Sequence, residues 1–272
     1  MGSIPDSPLG KAARYPDAYD PGLLYPVERA PQREALGIAT ALPFSGVDRW
    51  TAWEATWLDP HGRPRVAIVT FDVPCTSPRL VESKSVKLWL ASLAGTRLDA
   101  DALRATLVRD LSDATGAPIH VDVHLPPAWP ARFARREPDG TTIDDDTPSA
   151  LPTQPDASLL TAAGGRVEET LRMRGFRSVC PVTGQPDYAD MLIAYRGTAL
   201  VRPALYAYLL GFRQHAGFHE HCVERIFVDV AAACRPDALR VEARFTRRGG
   251  VDINPVRAAG LPTDASPPTL RQ

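Results

Sequence analysis

Two stretches of this 272-residue sequence read as the same succession of elements, strand–strand–helix–helix–strand, and few folds accommodate that. In the first stretch, Trp50 to Leu58 and Arg65 to Val73 are rich in Trp, Thr, Val and Ile, which suits a half-buried pleated surface. Asp59-Pro60-His61-Gly62 between them reads as a hairpin turn. A helix is predicted from Glu82 to Ala94, with Val86, Trp89, Leu90 and Leu93 on one face and Gly95 as a stop. A second runs from Asp99 to Ala114, with Asp99 as N-cap and Leu103, Leu107 and Leu111 repeating at every fourth position. Ile119 to Leu125 alternates as a strand.

The second stretch follows suit. Val167 to Met173 and Met191 to Tyr195 read as strands, and Pro203 to Arg213 and Phe218 to Cys234 as helices. Leu239 to Phe245 alternates, with Leu239, Val241, Ala243 and Phe245 inward and Arg240, Glu242 and Arg244 outward. Ser77-Pro78-Arg79-Leu80 before one helix is weakly echoed by Arg202-Pro203-Ala204-Leu205 at the start of another. Antiparallel strands with two helices per repeat predict an α+β protein with helices on one sheet face. The organisation expected is an irregular arm over 1–45, a module over 46–125, a Pro/Asp/Thr-rich linker over 126–165, a second module over 166–260 and a disordered tail over 261–272.

The balance of charge narrows the function. With 31 basic and 32 acidic residues the net charge is -1, which gives no support for a polyanion or membrane-surface binder. No apolar run is long enough to span a bilayer, and Met1 to Ser7 lacks the charged and apolar regions of a secretory signal, so a cytoplasmic protein is expected. The four cysteines, Cys75, Cys180, Cys222 and Cys234, form no C-x-x-C pair and read as free thiols. No Gly-x-Gly-x-x-Gly follows a strand, so any nicotinamide cofactor binds by a route other than a Rossmann motif.

Four clusters carry possible chemistry. The run Phe176 to Tyr188 holds two prolines and a glycine and reads as a tight loop. Within it Cys180 is a possible nucleophile, with Arg177 nearby to favour a thiolate and Asp187 as a possible proton carrier. A small apolar thiol and a turn aspartate are the plainer alternative for the same residues. The run Val81-Glu82-Ser83-Lys84-Ser85-Val86-Lys87 opens a helix, whose first amides suit an anion. Ser83, Lys84 and Lys87 would add donors, and Glu82 suits a bidentate purine-like edge. Lys84 and Lys87 are two of only three lysines. A capped helix with a solvated face is the plainer alternative. His215, His219 and Cys222 have zinc-compatible spacing only if one helix carries all three, and Gly217 argues against that. Arg247-Arg248-Gly249-Gly250 can approach a phosphate closely, or is an ordinary exposed turn. The triplet Asp144-Asp145-Asp146 reads as a solvated loop.

Together these clusters resemble the 7-cyano-7-deazaguanine reductases of queuosine biosynthesis, in their long two-module form. The resemblance rests on Glu82-Ser83-Lys84-Ser85-Val86-Lys87-Leu88-Trp89, the loop from Cys180 to Asp187, Phe218-His219-Glu220, and Arg247 to Gly250 continuing into Val251-Asp252-Ile253-Asn254-Pro255. It implies a tunnelling fold of two tandem modules, a homodimer, and NADPH as cofactor. It also implies that Cys180 adds to the nitrile carbon and that Asp187 supplies protons. Glu82, Glu220, Val81 and Ser83 would line the deazaguanine site, and His219 would position the substrate and assist proton transfer. Ser83, Lys84, Arg248 and Gly249 would contact NADPH. No metal and no direct contact with nucleic acid are implied. Two other readings share the purine-site logic: a zinc-dependent pteridine cyclohydrolase of the same fold, and a non-catalytic purine-binding module.

Overall fold

A computed structural model describes residues 16–38, 41–264 and 266–272. The parts of the expected arm at 1–15 and 39–40, and position 265 of the tail, lie outside the described residues. Ten strands are present among the described residues: β1 (Pro26–Glu28), β2 (Ser45–Leu58), β3 (Pro64–Pro74), β4 (Arg79–Val81), β5 (His120–His124), β6 (Thr141–Thr142), β7 (Ala162–Val179), β8 (Pro186–Leu200), β9 (Ala238–Phe245) and β10 (Val251–Ala259). The helices are α1 (Ala30–Ala35), α2 (Ser83–Ser92), α3 (Ala100–Thr115), α4 (Trp129–Arg132), α5 (Arg202–Leu210) and α6 (His219–Cys234). The mixture of mainly antiparallel strands and a few helices is that of the α+β class. No helix among the described residues is long and apolar enough to cross a membrane.

The chain divides into two compact units. One comprises the residues up to Ala35 with Arg49–Ala134 and Arg247–Asp252; the other comprises Leu36–Asp48, Arg135–Thr246 and Ile253–Gln272. In the first unit the strand order is β5-β3-β2, with β3 and β5 antiparallel from Ile68↔His124 to Asp72↔His120. Apolar residues of α2 and α3 fill its core: Trp89, Leu103, Leu107 and Leu111 are buried, and Trp50 stacks on Phe71 at 5.4 Å. Asp99 caps α3 by accepting from the Ala102 amide at 2.8 Å, and Gly116 closes it in the left-handed region at φ 74. Part of the arm expected to be irregular is ordered. β1 pairs antiparallel with β4, and the Glu82 amide donates to the Tyr25 carbonyl at 2.9 Å, which fixes where α2 begins.

In the second unit the order is β10-β9-β8-β7-β6. β7 and β8 form a long antiparallel hairpin, much longer than the two short strands expected there. Its register shifts between Met173 and Phe176, where the Asp144 carboxylate accepts from the Arg174 and Gly175 amides at 2.9 and 3.3 Å. Asp144 of the acidic triplet thus clamps the β-bulge, while Asp145 stays exposed in the loop. The apolar face of α6, with Val223, Ile226, Phe227 and Val230, is buried, as are Phe176, Phe212, Val241 and Phe245.

Three further expectations are corrected. β9 is not the last strand, since β10 follows it; the sequence Asp252-x-Asn254-Pro255-x-Arg257 reads as polar and broken, but those polar groups are buried and paired. Asn254 Oδ1 accepts from the Phe245 amide at 3.1 Å, and Arg257 lies between Asp48 and Glu224 at 2.8 Å from each. Glu242 and Arg244 lie on the face of β9 opposite Val241 and Phe245, as expected, but that face is covered and both are buried against partners rather than exposed to solvent. Those partners come from the tail, which is packed rather than disordered: Thr269 and Gln272 are buried.

Candidate active site

The loop expected over Phe176 to Tyr188 shrinks to six residues, because the ladder runs on through Ser178↔Asp187 and Val179↔Pro186. The Cys180 amide then donates to Gln185 O at 2.8 Å and the Gly184 amide to Cys180 O at 3.1 Å, with Gly184 at φ 69. Cys180 is therefore held at the hairpin tip, half-buried. Ser178 and Cys180 share a strand face, and Asp187 stands opposite Ser178 on that same face. Cys180 and Asp187 are thus diagonal cross-strand neighbours, a spacing of roughly 7–8 Å between backbones that side chains and a substrate can bridge. Asp187 is only 3% exposed.

A second segment docks on the same tip. The Val179 amide donates to His215 O at 3.0 Å and the Gly217 amide to Val179 O at 3.1 Å. A side chain at Gly217 would begin 3.3 Å from both Cys222 Sγ and His215 Nε2, so glycine lets the segment approach this closely. α6 starts two residues later, which delivers His219 and Glu220 in its first turn. His219 Nε2 lies 3.8 Å from Asp187 Oδ1, and its ring stands edge-on to Phe245 at 3.9 Å between centroids. Glu220 is buried. The second unit therefore gathers a thiol, a buried carboxyl, an imidazole within charge range of it, and a second buried carboxyl. That set can add a nucleophile to an electrophilic carbon, carry protons, and accept N–H donors from a flat base.

The neighbouring groups are poor competitors. Burial pushes the Cys222 thiol up to about 12, and Cys75 is buried with its carbonyl accepting from Arg33 at 2.7 Å. Burial also pushes His215 down to about 4 and lowers His221, so both are neutral at pH 7. His215 precedes α6, so the zinc-compatible spacing with His219 and Cys222 is not carried by one helix. Among the described residues no group of three His, Cys, Asp or Glu is arranged to hold a metal ion.

The first unit holds the other predicted residues, with one correction. The first amides of α2 are not open to an anion: Glu82 is the N-cap, and its carboxylate accepts from the Lys84 and Ser85 amides at 2.6 and 2.8 Å. Ser83 Oγ donates to the same carboxylate at 3.3 Å, and Val81 and Glu82 are buried. Burial raises the Glu82 carboxyl above its usual range, against the opposing pull of those amides and the Lys87 ammonium. What an anion meets here is side-chain charge. The turn from Arg248 to Val251 closes with the Arg248 amide donating to Val251 O at 2.9 Å, and Gly249 and Gly250 both sit at positive φ, 60 and 77. The Lys87 chain lies against Gly249, where an added Cβ would come within 3.2 Å of its Cδ. Arg247 stacks 5.3 Å over the Trp53 ring, whose Nε1 donates to Asp252. Lys87, Arg247 and Arg248 therefore gather around one glycine turn, which suits a phosphate-bearing cofactor.

Sequence reasoning missed Phe245 as the wall beneath His219, Gly217 as the close-approach point, and Trp53 beneath Arg247. Phe245 was legible only as an inward strand residue, and no spacing rule connects residue 53 with residue 247.

Comparison with known proteins gives a consistent answer. The family profile described as nitrile reductase, 7-cyano-7-deazaguanine-reductase N-term, matches residues 15–123, and one described as QueF-like protein matches residues 186–263. The chain is 52% identical over 263 residues to the NADPH-dependent 7-cyano-7-deazaguanine reductase of Stenotrophomonas maltophilia, covering 95% of this chain and 94% of that one. It is 51% identical over 258 residues to the protein of the same name from Bordetella pertussis, covering 94% of each. It is 49% identical over 270 residues to another from Xanthomonas campestris pv. campestris, covering 98% of this chain and 97% of that one.

Proposed function

The chain belongs to the NADPH-dependent 7-cyano-7-deazaguanine reductase family, and from that premise we propose that Cys180 carries the reduction of this nitrile to the aminomethyl base as a covalent nucleophile. The observation that supports it most is the hairpin tip, where a half-buried thiol stands diagonal to a buried carboxyl that is 3.8 Å from His219.

A nitrile is a poor hydride acceptor, and a thioimide is a better one. In the proposed sequence Cys180 Sγ bonds to the nitrile carbon and the nitrile nitrogen takes up a proton by way of Asp187, giving the thioimide. When bound, NADPH supplies a hydride to that carbon, twice in the full reaction. After the first, a further proton on nitrogen leaves a thiohemiaminal. Its C–S bond then breaks, Cys180 is restored as the thiol, and the imine remains to be reduced to the amine. Over the whole reaction one nitrile, two hydrides and two protons become one aminomethyl group. His219 orients Asp187 and helps return protons to it. Glu220 holds N–H donors of the base, and the same role is proposed for Glu82, with Val81 and Ser83 beside it. Ser83, Lys84, Arg248 and Gly249 are proposed to hold NADPH; the cationic glycine turn fits its phosphates. The same proposal includes two tandem tunnelling-fold modules, a homodimer, action on the free base rather than on RNA, and a cytoplasmic place in queuosine synthesis.

The test is stoichiometry. The wild-type chain should oxidise two NADPH per nitrile and release the primary amine. Cys180→Ala should bind the nitrile and oxidise none. Turnover by Cys180→Ala would remove covalent catalysis from the account.

A further inference from the structure

The catalytic reading leaves unused the segment 266–272, which crosses the second unit and ends in a saturated amide. Gln272 is 3% exposed. Its Nε2 donates to Phe245 O at 2.9 Å and to Asn254 Oδ1 at 2.7 Å; its Oε1 accepts from Arg244 Nε at 3.0 Å and from the Thr269 amide at 3.1 Å. All four hydrogen-bonding positions of the carboxamide are therefore filled. Its orientation is dictated by its neighbours. Asn254 Oδ1 already accepts from the Phe245 amide, so the group facing it and the Phe245 carbonyl must be a donor. The backbone of Phe245 is thereby held from both sides, at its N–H by Asn254 and at its C=O by Gln272. The rest of the segment is fastened at other points: Ser266 donates to Glu242 through its amide and Oγ at 2.9 and 2.6 Å, and Arg271 donates to Asp190 at 2.8 Å and to Arg174 O at 2.6 Å.

Phe245 is the residue whose ring meets His219 at 3.9 Å. One of the four bonds of this amide thus holds the backbone carbonyl of the very residue whose ring packs against the site imidazole. We propose that Gln272 is a positioning residue for the reaction: it fixes Phe245, and Phe245 fixes His219 relative to Asp187. The role in turnover rests on the function proposed above; the mechanical coupling does not.

The test uses the full chain with Gln272→Ala, Gln272→Glu and Ser266→Ala. Gln272→Glu keeps the two acceptor contacts but presents oxygen to the Phe245 carbonyl and Asn254, so it decides the matter if Gln272→Ala fails to fold. Histidine ring-proton shifts are recorded by NMR, the His219 signal being assigned among six histidines with His219→Asn, together with kcat and KM for the nitrile. Both Gln272 variants should move the His219 resonances as the Phe245 ring current changes. They should also lower kcat roughly tenfold or more with a smaller change in KM, as expected for a misplaced catalytic group. Ser266→Ala, which loosens the same segment away from Phe245, should leave both readings at wild-type values. Unchanged His219 resonances in the Gln272 variants, or an equal response to Ser266→Ala, would overturn the proposal. If the wild type reduced no nitrile, the resonances would still decide the coupling, and only the function would fall.

Discussion

Replacing Glu82 by alanine tests whether the start of α2 depends on a side chain that is also proposed to face the substrate. In the structure that carboxylate satisfies two helix-end amides, those of Lys84 and Ser85, and receives the Ser83 hydroxyl. Loss of an N-cap costs about 0.5–2 kcal/mol. Because Glu82 is 1% exposed, water does not readily replace it, which places Glu82→Ala near the upper end, about 2 kcal/mol. At roughly 2–4 °C per kcal/mol, the thermal midpoint should fall by about 4–8 °C. Glu82→Gln keeps one acceptor oxygen and should fall by less. The pH dependence has a definite sign. Burial raises the folded-state pKa of this carboxyl, so its contribution favours folding below the unfolded pKa and is lost as pH rises through the raised folded one. Glu82→Gln should remove that loss. Thermal unfolding followed by circular dichroism across the mildly acidic range reads both effects. An unchanged midpoint in Glu82→Ala would refute the capping argument, and an unchanged pH slope in Glu82→Gln would refute the burial argument.

Three other outcomes follow from the same geometry. Arg257→Met strips the shared cation from Asp48 and Glu224, two buried carboxylates, and should cost about 3–5 kcal/mol in denaturant unfolding; a loss under about 1 kcal/mol would mean the pair is not coupled through Arg257. Iodoacetamide at pH 8 should alkylate Cys180 and spare Cys222, whose thiol burial pushes up to about 12, until the chain is unfolded; peptide mapping that finds Cys222 modified first would contradict the burial assignment. His215 is pushed down to about 4, so its contribution to stability is present above the unfolded histidine value and is lost as pH falls towards 4. His215→Leu should flatten the thermal midpoint over that window, and an unaltered slope would remove His215 from the account.

How much was legible beforehand depended on whether a residue's role is local. α3 could be read almost to the residue, because Asp99 and the leucine repeat that follows it each act within a turn of the helix; Gly116, which closes it, is a signal of the same local kind that was not used. α6 was read equally well from its apolar stripe. β10 was not, because its pattern of Asp252, Asn254 and Arg257 makes sense only with partners far away in sequence, at Trp53, Phe245 and Glu224. The tail failed for the same reason: a Pro-, Thr- and Ser-containing segment looks disordered until Glu242 and Arg244 are seen waiting for it. Of the chemical residues, Cys180, Asp187, His219 and Glu220 all fall within one compact unit, although the loop around Cys180 is shorter than its prolines and glycine suggest. The strand ladder overrode Pro186 as a breaker because that proline opens β8. The part of the α2 reading that left its first amides open to an anion failed on Glu82 itself, since the sequence cannot show that a carboxylate turns back on its own helix.

The most direct test of covalent catalysis is intact-mass measurement of the purified chain mixed with 7-cyano-7-deazaguanine in the absence of NADPH. Addition across the nitrile expels nothing, so the wild-type chain should gain the whole mass of the substrate at Cys180, Cys180→Ala should gain none, and adding NADPH should discharge the adduct as the primary amine. A wild-type chain that binds the nitrile tightly without a mass gain, or an adduct that persists in Cys180→Ala, would contradict the mechanism.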